Sequence, residues 1–381
     1  MTKRQPADSR LRPDRRTAAA GICILLAGSV AAFAAAPITE DEFVPAATAD
    51  DGTWLLGAVP AVEGNPTTPD KVQLGKALFF DPRLSANGAI SCASCHNPAL
   101  GWSDGLKTGV GINGTLLGRA TPTIANVAFN TQFMWDGRKK SLEDQALGPM
   151  KTPEEMRTDL TAAVHMLSTL DGYRDMFAKA FPGEPIGEDT IAKAIAAFER
   201  TVVSTDSRFD RWLAGERTAL TRAQWRGYQV FKDPERGNCA ACHSGANFTN
   251  NGFHNIGILQ AEGRRDDGRF KVRPLASMKG AFKTPTLRDI ALTAPYFHDG
   301  SAPTLMAVIE HYNRGGDDKT NLSKDVRALN LDETDKADLV AFLEALTGHQ
   351  TAVAVPALPQ HTTAPSPALA QRAVHTSHLG N

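Results

Sequence analysis

The sequence predicts a mainly α-helical protein of two related domains, and three observations support this. The segment "GKALFFDP" at 75–82 recurs as "GYQVFKDP" at 227–234, with the same glycine, phenylalanine, aspartate and proline, which indicates an internal repeat. One-sided apolar stripes with the helical period occur at 191–202, 305–312 and 339–346. No convincing series of alternating polar and apolar residues predicts a sheet.

Composition and the repeat divide the 381 residues into five segments. We predict a signal peptide at 1–34, an extended lead-in at 35–70, a first helical domain at 71–210, a second at 211–350 and a disordered tail at 351–381. The lead-in is rich in Pro, Thr and Asp, and the tail contains mostly Ala, Pro, Thr and His without periodicity.

The N-terminus has the three parts of a secretory signal peptide. Residues 1–16 carry six basic and two acidic side chains, an apolar run follows, and Ala32 and Ala34 are placed for cleavage. The alternative is an uncleaved anchor, which the short, Ala-rich run disfavours, and no other stretch approaches the roughly 18 apolar residues of a membrane span. We therefore expect an exported protein with no stable membrane span in the mature chain.

The charge balance argues against a nucleic-acid partner. The whole chain has a formal net charge of −1, and removal of the basic leader leaves about −5, which is mildly acidic. With 42% hydrophobic and 22% charged residues, the chain has the composition of an ordinary globular protein with a sizeable core.

Each copy of the repeat is followed by the pattern C-x-x-C-H. Two thiols at this spacing can bond to the two vinyl groups of one porphyrin, and the adjacent histidine then binds the iron. Two disulfides or a zinc site are alternatives, but 143 residues separate the two cysteine pairs, and neither alternative explains a histidine after both. We therefore predict two covalently bound c-type haems, held by Cys92, Cys95 and His96 and by Cys239, Cys242 and His243.

Other motifs resemble those of one known family. The segments "FMWDGR", "LEDQALGP", "TPTLRDI" and "APYFHDGS" are similar, in this order, to segments of the bacterial di-haem cytochrome c peroxidases, the family that includes MauG. The resemblance runs from about residue 73 to 348. It implies two cytochrome c-like helical domains with one haem each, a periplasmic location, an N-terminal haem that reacts with hydrogen peroxide, and a C-terminal haem that relays electrons.

The resemblance also implies roles for the residues of the pocket above the first haem. Many members carry a capping histidine in the loop after the first motif, but the matching residue here is Ile112, and 97–122 contains no His, Met or Tyr. This haem is therefore expected to be open. Gln145 and Glu155 match the residues that move a proton during peroxide cleavage, and Pro149 shapes the same pocket. Glu155 has an alternative role in a capping box beginning at Thr152, which would start a helix.

Two further residues match positions with known roles in this family, one between the two haems and one at the second haem. Trp135 corresponds to a tryptophan between the two haems that relays electrons or holes, and plain core packing is its alternative role. Tyr312 falls at the sixth-ligand position of the second haem, where simple peroxidases carry methionine and MauG-like members carry tyrosine. The competing ligands are Met306, Met278 and His311.

The family also implies a calcium ion between the domains. Thr293 and Pro295 match the residues that bind it through backbone carbonyls, whereas Ala120 replaces the asparagine ligand. A second departure is Gly237, which stands where MauG has a surface tryptophan that carries holes to its protein substrate.

These features predict a haem-dependent oxidoreductase that accepts electrons from a small cytochrome c or cupredoxin and passes them to peroxide. The alternative is a MauG-like oxidase that uses a high-valent dihaem state to modify side chains of a partner protein. A third, non-enzymatic alternative is an electron carrier in which both irons are six-coordinate.

Overall fold

The structure is a computed structural model that describes residues 44–260, 266–350 and 352–360. The predicted signal peptide at 1–34 and the tail beyond residue 360 lie outside the described residues. Within the described ranges, no helix has the length and apolar character needed to cross a membrane.

The described part of the chain is mainly helical, which confirms the predicted fold class. It forms ten α-helices: α1 Pro69–Phe80, α2 Cys92–Cys95, α3 Leu142–Lys151, α4 Leu160–Thr169, α5 Asp171–Ala180, α6 Glu188–Glu199, α7 Arg208–Leu213, α8 Arg222–Lys232, α9 Leu305–Asn313 and α10 Glu333–Glu344. Its strands form two short antiparallel ribbons, in which β1 Ser204–Thr205 pairs with β4 His349–Gln350 and β2 Phe253–His254 pairs with β3 Phe282–Lys283.

The repeated glycine marks the same helix crossing in both halves of the chain. Gly75 of α1 lies against α6, where an added Cβ would come within 1.8 Å of the carbonyl oxygen of Ala194. Gly227 of α8 lies against α10, where an added Cβ would come within 1.9 Å of the carbonyl oxygen of Asp338. Each glycine therefore allows a close helix crossing that any side chain would block.

Two hydrophobic cores lie on these crossings. The first packs α1, α3, α4, α5 and α6 together, and Ile191, Ile195 and Phe198 of the predicted stripe on α6 are all buried in it. The second packs α7, α8, α9 and α10, and includes Val44 and Trp54 of the lead-in. Each core therefore packs against one of the two C-x-x-C-H motifs, through Cys92 in the first and Cys239 in the second.

The two ends of the described chain are tied to these cores. In the lead-in, Trp212 donates its ring N–H to the carbonyl of Pro45 at 2.9 Å. At the other end, Val353 packs against the first core, and Pro359 accepts a 2.9 Å hydrogen bond from Arg83. Residues 352–360 thus contact the folded part without forming a helix or strand.

The helix start predicted at Thr152 is wrong. Thr152 ends α3, because its backbone N–H and its hydroxyl both bond to the carbonyl of Gly148, at 3.1 and 2.9 Å. Residues 153–156 form turns, and the next helix begins at Leu160 with Asp159 as its N-cap. Glu155 is therefore free of a capping role. A capping box does begin α8, where Thr221 and Gln224 bond reciprocally.

Candidate haem sites and distal pocket

One large cavity of about 1120 Å³ reaches both C-x-x-C-H motifs. Its walls are mostly apolar and come from both halves of the chain. The motif residues on these walls are Cys92, Cys95 and His96 and Cys239, Cys242 and His243. The cavity exceeds the usual size of a single-ligand site.

The two motif histidines are oriented in the same way. His96 Nδ1 lies 3.2 Å from the carbonyl oxygen of Trp102, and His243 Nδ1 lies 3.1 Å from that of Phe248. A protonated Nδ1 that donates to a carbonyl leaves Nε2 as the coordinating nitrogen. Burial also lowers the pKa of His96, and that of His243 to about 4, which favours the neutral imidazole that binds iron.

The carbonyls that orient these histidines come from residues with left-handed backbones. Trp102 has φ +62° and Phe248 has φ +50°, which is unfavourable for bulky side chains. Packing offsets this cost, because both side chains are buried: Trp102 lies 6.1 Å from Phe198 and Phe248 lies 4.8 Å from Trp54, between ring centroids. The cores therefore hold the two motif histidines through the residues whose carbonyls bond to them.

The cysteines do not support the alternatives to haem. All four described cysteines are free thiols, so neither motif forms a disulfide. Within the described ranges, the one group of three potential metal ligands holds Cys242, His254 and Asp325, and it does not join the two cysteine pairs. Burial raises the pKa of Cys95 to about 11 and of Cys239 to about 12, so both groups are neutral thiols in the absence of a bound metal. Paired thiols and an oriented imidazole fit one c-type haem at each motif.

The structure brings Gln145 and Glu155 to the same cavity wall as the first motif. Gln145 and Pro149 lie one turn apart on α3, and Gln145 Nε2 lies 3.8 Å from Met134 Sδ. Glu155 faces the cavity from the turn after α3. Burial raises the pKa of Glu155 above its ordinary value. A carboxyl group with a raised pKa beside a haem site has the properties of an acid–base catalyst.

The loop that carries Ile112 supports the backbone of this carboxyl group. Ile112 is 2% exposed, and its N–H donates to the carbonyl of Glu155 at 2.8 Å. Gly111 packs so closely on Glu154 that an added Cβ would come within 1.9 Å of its carbonyl oxygen. The loop therefore lies behind Glu155, and the position of a capping histidine holds an apolar side chain.

Trp135 lies on the cavity wall where the two halves of the chain meet. Its ring N–H donates to the carbonyl of Ala120 at 2.8 Å, and its own carbonyl accepts from Lys283 of β3 at 2.8 Å. The ring lies edge-on to His298, with centroids 6.4 Å apart, and His298 stacks on Phe282 at 3.6 Å. These contacts hold the indole in one orientation on the cavity wall.

Tyr312 faces the cavity from α9, near the second motif. Burial, and then the nearby thiols of Cys242 and Cys239, raise its pKa. Its neighbour His311 points elsewhere: His311 Nδ1 lies 3.0 Å from Asp317 and Nε2 lies 2.8 Å from the carbonyl of Ile256. Both nitrogens of His311 are therefore already engaged. The other competitors, Met306 and Met278, are absent from the described cavity wall.

Thr293 and Pro295 also lie on the cavity wall, two residues apart in the chain. Among the described residues, no group of three or more acidic side chains accompanies them. A cation here would depend on backbone carbonyls and water, because Ala120 supplies no side-chain ligand.

Two charged residues of the cavity wall were missed by the sequence analysis. Glu199 ends α6 and is 4% exposed; its Oε2 has no hydrogen-bond partner in the described part of the chain, and burial raises its pKa to about 8. Arg119 bridges the two halves through Asp136 at 2.8 Å and Asp266 at 2.6 Å. The only feature of the sequence that could have pointed to Glu199 is its place directly after the apolar run 194–198.

The fold and the two sites define a class: a helical protein with two c-type haem sites that share one cavity, the first beside a carboxyl group. Comparisons with known proteins agree. The family model described as di-haem cytochrome c peroxidase matches residues 69–218, and one described as RoxA-like, cytochrome c-like, matches residues 281–316.

Known relatives cover most of the chain. The methylamine utilization protein MauG of Methylorubrum extorquens is 45% identical over 79% of this chain and 85% of that protein. The cytochrome c551 peroxidase of Nitrosomonas europaea is 38% identical over 77% of this chain and 85% of that protein. A solved structure of a MauG-like protein associated with microbial copper homeostasis is 35% identical, with TM-score 0.72 over 77% of this chain and 95% of that one. The chain belongs to the di-haem cytochrome c peroxidase family, and haem is its cofactor.

Proposed function

We propose that this protein is a periplasmic di-haem peroxidase that reduces hydrogen peroxide at the Cys92–Cys95–His96 site. Electrons reach it through the second site from a small cytochrome c or a cupredoxin. The observation that carries this proposal is Glu155 beside the first motif, with its raised pKa and no capping role. When bound, the haems supply the electron-transfer and peroxide-binding chemistry.

In this proposal the side chains of the distal pocket handle the proton. A carboxylate oxygen of Glu155 takes a proton from bound peroxide and returns it to the departing oxygen, which leaves as water. The amide of Gln145 orients the peroxide by hydrogen bonding. Pro149 and the apolar wall limit the access of competing water.

Tyr312 is proposed as the sixth ligand of the second haem. Replacement of Tyr312 by Phe is expected to remove the low-spin signal of a His–Tyr haem from the electron paramagnetic resonance (EPR) spectrum, because phenylalanine offers no oxygen to the iron. Tyr296→Phe is the matched control, since Tyr296 also lies on the cavity wall. An unchanged spectrum in the Tyr312 variant would mean that another residue is the ligand.

Trp135 is proposed as the relay between the haems. Trp135→Phe is expected to slow the spectral change of the second haem after peroxide is added, while both haems stay attached, because the smaller ring lacks the indole N–H that bonds to Ala120. Stopped-flow absorbance measures this delay. Trp225→Phe is the control, because Trp225 is absent from the large cavity wall. Equal kinetics in the two variants would exclude the relay role.

A MauG-like oxidase that modifies a partner protein is the second candidate function. Tyr312 on the cavity wall and the 45% identity to a MauG protein favour it. Gly237 offers no aromatic ring before the second motif. Peroxide added to the purified holoprotein separates the two: rapid turnover with a reduced cytochrome supports the peroxidase, whereas a long-lived oxidised state that such a donor does not reduce supports the oxidase.

We further propose the segment assignments that accompany this function. The signal peptide comprises 1–34, the lead-in 35–70, the two haem domains 71–210 and 211–350, and the tail 351–381, of which 352–360 contacts the folded part. Calcium is proposed at the carbonyls of Thr293 and Pro295. Metal analysis of the purified protein before and after chelation tests the calcium site, and mass spectrometry of the exported protein tests the cleavage position.

A further inference from the structure

The second core contains a buried tyrosine paired with a carboxylate. Tyr228 of α8 is 0% exposed, and its hydroxyl donates to Asp51 Oδ1 at 2.5 Å. Asp51 also accepts from the N–H and hydroxyl of Thr48 at 2.9 and 2.8 Å. Burial by itself would raise the pKa of Asp51, but the hydrogen bonds from Tyr228 and Thr48 outweigh it and hold this pKa below its ordinary value. Asp51 is therefore an anionic acceptor for the phenol proton.

Aromatic rings connect this pair to the haem cavity. The Trp54 ring lies edge-on to Tyr228, with centroids 6.3 Å apart, and 6.0 Å from the ring of Phe231. Phe231 lines the cavity and belongs to the second core, against which Cys239 of the second motif packs. Trp54 and Tyr228 are the oxidisable rings of this series, and Phe231 is the packing contact that brings Trp54 to the cavity wall.

We propose that Tyr228 is a redox-active tyrosine that serves as an internal electron donor to the second haem site. The inference rests on the proposed function, because the oxidant is the haem pair after its reaction with peroxide. One electron leaves the phenol and passes through Trp54 to the oxidised cofactor, which is reduced by one electron. The hydroxyl proton moves to Asp51 Oδ1, so a neutral tyrosyl radical remains. An electron from the external donor and the returning proton restore the phenol.

The surroundings of Tyr228 favour joint loss of an electron and a proton. An oxidised phenol is a strong acid, so its oxidation in a buried site requires a base within hydrogen-bond distance, and Asp51 meets this requirement. Lys232 Nζ lies 4.6 Å from the Tyr228 ring centroid, where its charge disfavours a cationic ring. The same site would hold an oxidising equivalent inside the core when no external donor is present.

The first core supplies a natural comparison. The hydroxyl of Tyr173 donates to Asp81 Oδ2 at 2.7 Å, and Arg83 pairs with the same carboxylate. Tyr173 is also 0% exposed, but among the described residues it makes no ring contact with a tryptophan and does not line the cavity. The hydrogen-bonded pair is thus common to both cores, and the aromatic connection to the cavity distinguishes Tyr228.

The test is EPR of the holoprotein, frozen at intervals after peroxide is added without an electron donor. We expect a tyrosyl radical that narrows when the protein carries ring-deuterated tyrosine. The radical is expected to be absent in Tyr228→Phe and to keep its wild-type yield in Tyr173→Phe. Asp51→Asn and Trp54→Phe retain the phenol, and each is expected to slow radical formation at least about ten-fold, which tests the inference even if Tyr228→Phe folds poorly.

Parallel optical spectra separate this inference from the proposed function. If peroxide changes the haem spectra but the wild type forms no tyrosyl radical, or the radical survives in Tyr228→Phe, the inference is wrong and the peroxidase proposal stands. If peroxide leaves the haem spectra unchanged, the proposed function itself fails.

Discussion

Glu155→Gln is expected to lower the rate constant for the reaction of the first haem with peroxide by about 10²-fold or more. The amide has nearly the same shape as the carboxylate but cannot take up a proton from peroxide. Stopped-flow absorbance of the first haem under excess peroxide measures this rate. Glu154→Gln is the matched control, because Glu154 is the adjacent acidic residue and is exposed.

The pH profile gives an independent readout of the same variant. The active form of Glu155 is the carboxylate, so the wild-type rate falls as pH decreases through the pKa of Glu155, which burial has raised above its ordinary value. The Gln variant is expected to lack this acidic limb, whereas Glu154→Gln is expected to retain it. An acidic limb that persists in Glu155→Gln would assign the proton transfer to another group.

Arg288→Met is expected to lower the free energy of unfolding by about 3–5 kcal/mol, because it leaves the buried carboxylate of Asp210 without its partner. Arg288 has a 1% exposed side chain and binds Asp210 with two hydrogen bonds of 2.8 and 2.9 Å. It also donates to the carbonyls of Ala246 and Trp54, at 2.8 and 3.2 Å. One guanidinium therefore joins α7, the lead-in and the loop that orients His243.

Lys151→Met provides the control for this prediction. Lys151 binds Glu188 at 2.6 Å, and both side chains are about half exposed, at 53% and 49%. Its loss is expected to cost under about 1 kcal/mol. Guanidinium chloride unfolding of the holoproteins, followed by far-UV circular dichroism, compares the two. Equal losses of stability would show that burial does not govern the strength of these pairs.

Local sequence was sufficient to predict the features that depend on residues close together in the chain. Both haem motifs could be predicted because the chemistry of attachment requires two thiols and an imidazole within five consecutive residues. The internal repeat also predicted two related helical units, and its glycines prove to lie at equivalent helix crossings, Gly75 of α1 against α6 and Gly227 of α8 against α10. The helical fold class followed from the repeat, the helical period of the apolar stripes and the lack of strand patterns.

Local sequence was misleading at the distal pocket. The series Thr-Pro-Glu-Glu at 152–155 has the pattern of a helix start, yet the hydroxyl of Thr152 bonds backwards to Gly148 and ends α3. Ile112, more than 40 residues earlier, holds the carbonyl of Glu155. A contact between residues so far apart leaves no trace in local periodicity, so the direction of Glu155 could not be predicted from its neighbours.

The sequence by itself determined the haem chemistry, the helical class and the apolar replacement at Ile112. Only the tertiary structure decided which side chains face the cavity. It engages both nitrogens of His311 while its neighbour Tyr312 points inward, and it buries Glu199 with one oxygen that has no partner among the described residues. The physical reason is that attachment depends on spacing along the chain, whereas orientation, burial and pKa depend on packing between distant segments.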